Sequence, residues 1–153
     1  MKLIIANTKD EFFAGKELFL EYSIELNVDL SFQDFEKELR EIDIQYNTPT
    51  GALILLKLEK DFIGCCGIRQ FNDRVAELKR MYIRKEHRKK GYGRYLLDKA
   101  IEISREMEYD KIRLDTLESM QAAIGLYRSY GFREIEPYRL NPVTGARYFE
   151  LNL

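Results

Sequence analysis

The sequence lacks the features that would assign it to several large classes. It has no long apolar run: the longest aliphatic stretch, Ala52 to Leu56, falls far short of the ~20 residues a helix needs to cross a bilayer. Its opening, MKLIIANTKDEFF, meets charge too early for the apolar core and small-residue cleavage site of a secretory signal, so a cytoplasmic location is expected. One histidine, two adjacent cysteines and no CxxC pair offer no zinc ligand set, and no metal is expected. Cys65 and Cys66 sit in a strand-like run where neighbours point to opposite faces, which disfavours a bond between them and leaves them as reduced packing residues. There is no charge excess either, with a net −1 and a pI near 6.0. A nucleic-acid surface usually covers more of a domain and lifts its pI above about 9, so no nucleic-acid partner is expected. No repeat and no low-complexity tract interrupts the chain.

What is present fits one domain over residues 1–153, with 45% hydrophobic and 33% charged residues. Lys2 to Ala6 reads as a short strand. Thr8 and Glu11 have capping-box spacing ahead of a helix over 9–26, whose packed face holds Phe12, Leu18, Phe19, Tyr22 and Leu26. Ser31 and Asp34 repeat the signal for a second helix with Phe32, Phe35, Leu39 and Ile42 inside. Between the two lies a short polar connection with Glu25 and Asp29 as helix-end charges. After the turn Thr48-Pro49-Thr50-Gly51, residues 52–58 and 62–71 read as a hairpin, and Asn72-Asp73-Arg74 turns the chain into a further strand at Val75.

The continuous piece from Ala76 to Glu108 organises the rest. Residues 77–83 alternate with strand formers, and from Tyr95 onward Leu96, Leu97, Ala100, Ile101, Ile103 and Met107 recur at helical spacing. Between them lies Arg88-Lys89-Lys90-Gly91-Tyr92-Gly93-Arg94. A two-glycine turn can aim successive backbone N–H groups into one concavity, and the following helix adds its free first-turn donors and positive dipole end. Such a turn suits a pyrophosphate, though a solvated basic turn is the plain alternative. The basic residues between Lys79 and Arg94 form the one basic patch. The spacing fits neither a P-loop nor a dinucleotide fingerprint. Farther on, 111–116 reads as a strand reached by a helical crossover and hence parallel to 77–83. Ser119 is the expected cap of a helix over 120–130, Gly131 its left-handed terminus, and 132–138 with 146–153 the closing strand pair.

Arg88, Gly91 and Gly93 resemble motif A of the GNAT superfamily of acyl-CoA N-acyltransferases. The stretch Ala123 to Phe132, with Leu126, Tyr127, Gly131 and Phe132, is similar to the family's later helix. The likeness runs from about Leu53 to the C-terminus. It implies a mixed α/β fold: a twisted, mostly antiparallel sheet with two splayed parallel central strands flanked by four helices. It also implies an acetyl-CoA cosubstrate, a small-molecule or peptide amine acceptor, no membrane partner, and a tendency to homodimers.

The resemblance further implies site residues. Arg88, Lys89, Lys90, Gly91, Tyr92, Gly93 and Arg94 would hold the pyrophosphate, and the main chain of Met81, Tyr82 and Ile83 the pantetheine arm, where relatives bulge and splay the strand; a fully paired strand is the ordinary alternative. Tyr127 is either the acid that protonates the departing thiolate or a core tyrosine. The base that frees the amine is Glu77, which in a regular strand shares a face with Met81 and Ile83, or Asp115, or bulk water. An asparagine common in relatives seven residues before the tyrosine is Met120 here, with Gln121 beside it. His87 is expected at the surface, and Tyr138 and Asn141 at the acceptor pocket, toward which the resemblance also places Glu25 and Asp29, either drawing in a cationic amine or simply solvated. A non-catalytic acyl-CoA binder or sensor would need neither carboxylate nor tyrosine.

Overall fold

Thr8 begins the first helix as its spacing predicts. Its side chain accepts from Glu11 N (3.3 Å) while the Glu11 carboxylate accepts from Thr8 N (3.1 Å), so two otherwise orphaned donors are satisfied. In the computed structural model, which describes residues 1–153 except the Phe32 side chain, this helix α1 spans Lys9–Leu26. Asn27, left-handed at φ 52°, closes it.

Seven strands form one sheet: β1 Lys2–Ile5, β2 Ala52–Leu58, β3 Asp61–Asn72, β4 Val75–Ile83, β5 Lys111–Leu117, β6 Arg133–Ile135 and β7 Ala146–Asn152. Their order across the sheet is β1-β2-β3-β4-β5-β7-β6. All neighbours are antiparallel except β4 and β5, which the helical crossover makes parallel. Both faces are covered. Ala52, Ile54, Leu56, Cys66 and Ile68 pack with Leu96, Leu97 and Ala100 of α4 (Tyr92–Glu106). Leu53, Leu55 and Cys65 pack with Leu18 and Phe19 of α1 on the other side. That is why β2 reads as continuous rather than alternating apolar sequence, and the two cysteines do point to opposite faces, both free.

Three expectations change. The second helix is broken into a 3-10 turn at Ser31–Gln33, a left-handed Asp34 (φ 54°), α2 at Phe35–Arg40 and α3 at Ile42–Gln45. The break aims Gln33 and Glu38 at Lys79 and Arg80 of β4, and those contacts override the local helical pattern. Leu39 and Ile42 are buried as expected, whereas the Phe32 side chain lies outside the described residues. The sheet is therefore flanked by five α-helices rather than four, the last being α5 at Gln121–Ser129. Ser119 does not cap α5, whose N-cap position is Met120 with no side-chain bond. Its C-terminus behaves as predicted: Gly131 sits at φ 91° and Phe132 N returns to Tyr127 O (3.1 Å).

The third change shapes the site. Cys65 pairs with Tyr82 but Gly67 pairs with Lys79, so β4 carries one residue more than β3 across that interval. The extra residue falls at Arg80, left-handed at φ 54°. Lys79 and Arg80 consequently project on one face, and the alternation reverses beyond them. Glu77 does not share a face with Met81 and Ile83: it lies on the face of Lys79 and Arg80, against Arg69 and Arg139, whereas Met81 and Ile83 pack on the α4 side.

Candidate active site

The parallel strands stay together only briefly. Val75, Ala76 and Glu77 pair with Lys111, Ile112 and Arg113; after that β4 continues to Ile83 beside β3 alone, and β5 to Leu117 beside β7. The edge of β4 that would have met β5 is thus left open beyond Glu77. At its end the chain enters the basic turn, with Lys89 (φ 61°) and Gly91 (φ 83°) both left-handed. Helix α4 starts at Tyr92, three residues before the apolar periodicity becomes visible. Its first intrahelical bond runs from Tyr95 N to Gly91 O (3.0 Å), which leaves the N–H groups of Tyr92, Gly93 and Arg94 without helical acceptors.

These pieces enclose a cleft of about 610 Å³. Met81, Tyr82, Ile83, Arg88, Lys89, Gly91, Tyr92 and Gly93 line it, joined by residues of α1 and the N-terminal turn of α5. Lys90 and Arg94 do not: Lys90 Nζ caps Glu86 O (3.1 Å) and Arg94 lies over the Tyr130 ring. The basic patch is also less uniform than its sequence. Arg88 donates to Ile83 O (2.7 Å) and Glu25 (2.8 Å), stapling the turn to α1, and Arg84 pairs with Glu21. Lys79 and Arg80 are buried on the other face. Glu25 is thereby a partner of Arg88, and this contact holds its carboxyl below the usual range. His87, expected at the surface, is half-buried in the cleft wall with Nδ1 enclosed. Met120 and Gln121 both line the cleft.

Tyr127 on α5 is buried, its ring against Phe132 (5.6 Å) and Phe149 (6.5 Å). Burial pushes the phenol well above its usual range, so it stays protonated and able to donate. Among the described residues no side-chain hydrogen bond engages its hydroxyl.

Beside the cleft, and sharing Tyr22 and Leu26 with it, is a cavity of about 30 Å³, room for one water-sized group. Asp115, Gln33, Arg80 and Asn141 supply its polar wall. Asp115 accepts from Gln33 Nε2 (3.2 Å) and Asn141 Nδ2 (3.3 Å), with Lys79 Nζ 3.7 Å away. Lys79 is pulled down to about 8, by burial first and then by Arg80.

Glu77 lies elsewhere. It is 1% exposed, between Arg69 Nε (3.0 Å) and Arg139, and accepts from Tyr138 OH (3.0 Å). Burial raises its pKa, but Lys79, Arg69 and Arg139 outweigh that and hold it at about 2. Of the two candidate carboxylates, only Asp115 adjoins the large cleft's neighbour; Glu77 opens on a separate one. Tyr138 follows Glu77, and Asn141 follows Asp115.

Sequence reasoning missed Tyr22, Gln33 and Arg80. Tyr22 had been assigned to the packed stripe of α1, yet it stands at the junction of both cavities, edge-on to Tyr82 at 6.2 Å. Arg80 had a readable signal: Lys79-Arg80 is a charged doublet inside an alternating strand, which a regular pleat does not explain.

Comparison with known proteins matches residues 16–132 to the acetyltransferase (GNAT) family. An uncharacterised N-acetyltransferase of Schizosaccharomyces pombe is 34% identical over 140 residues, covering 90% of this chain and 86% of the relative. A GNAT-family acetyltransferase of Staphylococcus aureus superposes with a TM-score of 0.79 at 26% identity, over 99% of this chain and 98% of its own. One from Elizabethkingia anophelis, solved with acetyl-CoA bound, superposes with a TM-score of 0.66 at 18% identity over 99% and 97%.

Proposed function

The chain belongs to the GNAT acetyltransferase family, and from that premise we propose that it moves an acetyl group from acetyl-CoA to a primary amine by direct attack. The observation that carries this reading is the open edge of β4 running into the N-terminus of α4. On the side away from β3, the main chain of Met81, Tyr82 and Ile83 has no partner strand, and its outward groups offer the pantetheine arm the donors and acceptors of a missing one. The N–H groups of the basic turn and first turn of α4 then receive the pyrophosphate, with Lys89 adding full charge.

In this reading the amine nitrogen reaches the small cavity at Asp115, which takes its proton either directly, with the nitrogen in the cavity, or through a single water held there while the nitrogen stays in the cleft. Asp115 is the better-placed carboxylate because its cavity adjoins the acyl cleft; a group held at about 2, as Glu77 is, makes a weak base. The nitrogen lone pair attacks the thioester carbonyl, and rigid β4 N–H groups stabilise the oxyanion. As the intermediate collapses, the C–S bond breaks, Tyr127 gives its proton to the thiolate, and the extra proton still on the nitrogen passes through water to restore the phenol, leaving the amide and free coenzyme A.

The test is thiol release from acetyl-CoA over a panel of amines. Asp115→Asn is expected to lower kcat/KM about 100-fold while acetyl-CoA still binds with unchanged affinity. Unchanged turnover in Asp115→Asn would remove the base assignment. Absence of acetyl-CoA binding in the wild type would remove the whole reading.

A further inference from the structure

The cleft at Glu77 takes no part in the chemistry above. It encloses about 370 Å³ and is lined by Arg69, Arg139, Gln45, Phe71 and Ile44, among others. At its floor two guanidinium groups share one carboxylate: Arg69 through Nε and Arg139 through Nη2 both meet Glu77. The next anion, Glu38, does not restore balance. It is 3.9 Å from Arg69 and is already bound by Arg80 through Nε (3.2 Å) and Nη2 (2.8 Å), and by the Tyr46 hydroxyl. Arg69 spends its remaining contact on the neutral Gln45 Oε1 (2.9 Å). Across the group, the buried Lys79 and Arg80 and the half-buried Arg69 and Arg139 face Glu38, Glu77 and Asp115, so cations outnumber anions.

Donor capacity is also left over. Among the described residues, neither Arg69 Nη2 nor Arg139 Nη1 takes a protein acceptor, and neither is enclosed; Arg139 Nε is enclosed and has none. Above this floor stand apolar walls that solvent reaches, Phe71 at 38% and Ile44 at 71% exposure. Two convergent guanidinium forks with spare donors suit a planar oxyanion, and exposed apolar walls suit the body that carries it.

We propose that this cleft binds a small organic carboxylate with an apolar body, at a site distinct from the acetyl-transfer cleft. The carboxylate bridges Arg69 and Arg139, and its body lies between Phe71 and Ile44. Glu77 holds the two arginines in place and is itself no ligand. The site goes beyond the acetyltransferase reading, and its test involves no turnover, so the two fail separately.

The test titrates the full chain, saturated with coenzyme A so that the basic turn is already filled, with phenylacetate, neutral phenylacetamide and inorganic phosphate, followed by ¹H–¹⁵N NMR. The expected result is phenylacetate-induced shifts centred on Arg69, Phe71 and Arg139, with the amide at least tenfold weaker. Gln45→Glu places a competing carboxylate against Arg69 and should weaken phenylacetate at least tenfold while leaving coenzyme A affinity unchanged. Arg139→Gln, on a loop, provides a second variant with the same expected direction if the first does not fold. Equal binding of acid and amide, shifts centred elsewhere, full affinity in the folded variant, or phosphate binding tighter than phenylacetate would each overturn the proposal.

Discussion

Gly91 allows the phosphate-binding turn to be tested with strain and charge separated. It is left-handed at φ 83°, and a Cβ built there meets nothing within 4 Å. Gly91→Ala therefore carries only the conformational cost of an L-residue in that region, roughly 1–2 kcal/mol of stability, and adds no obstruction. Gly91→Glu carries the same strain plus a carboxylate at the positive end of α4. At ~5 Å from a pyrophosphate and an effective dielectric of ~20, one added charge opposes binding by about 3 kcal/mol. Gly91 is exposed and the repulsion screened, so a weakening of about 10- to 100-fold is expected. Calorimetric titration of wild type and both variants with acetyl-CoA at two salt concentrations would measure it. The expected pattern is near-normal affinity for Gly91→Ala, a large loss for Gly91→Glu, and partial recovery of the latter at high salt. If Ala and Glu lose affinity equally, the turn acts through its shape alone; if Glu binds as wild type, the phosphate does not lie there.

Tyr127→Phe keeps the ring packing on Phe132 and Phe149 and removes only the donor, so kcat should fall about 100-fold with acetyl-CoA affinity intact; unchanged kcat would make Tyr127 a packing residue. Because Glu77 is held at about 2, below the ordinary glutamate value of 4.5, its ion pairs contribute stability that is complete above 4.5 and is lost as pH falls from there through about 2. Denaturant titrations across that window should show the loss in wild type. Glu77→Gln should cost about 3–5 kcal/mol near neutral pH by stranding two arginines, and flatten the acid limb; an equally steep limb in the variant would contradict the shift.

Local signals were legible where local forces decide the outcome. The Thr8–Glu11 box fixed α1 to the residue, and the two-glycine turn with its flanking strand and helix located the large cleft. The break in the second helix is not legible, because its stripe of apolar residues says nothing of Glu38, which is buried by Arg80 from a strand 42 residues on. The face of Glu77 was misjudged because one inserted residue reverses every side chain beyond it, and period-two reasoning has no term for an insertion. The small cavity was only half legible: Asp115 and Asn141 stood out singly, but Gln33, Arg80, Asp115 and Asn141 come from four separate segments and meet only in the folded sheet.

The buried ionic chain has a consequence for how such a protein can change. Arg139, Glu77, Arg69, Glu38, Arg80, Gln33, Lys79, Asp115 and Asn141 are linked each to the next by a hydrogen bond, an ion pair or a shared acceptor. Substitutions along it cannot be additive, since each removal strands the charge on either side. The backbone that lines the cleft between β4 and α4 is less subject to this coupling, because main-chain groups stay in place under most side-chain replacements. Divergence should therefore accumulate freely along the cleft between β4 and α4, whereas the side holding Asp115 and Glu77 changes in concerted sets or not at all, and an engineer altering it would do better to exchange the chain as a block.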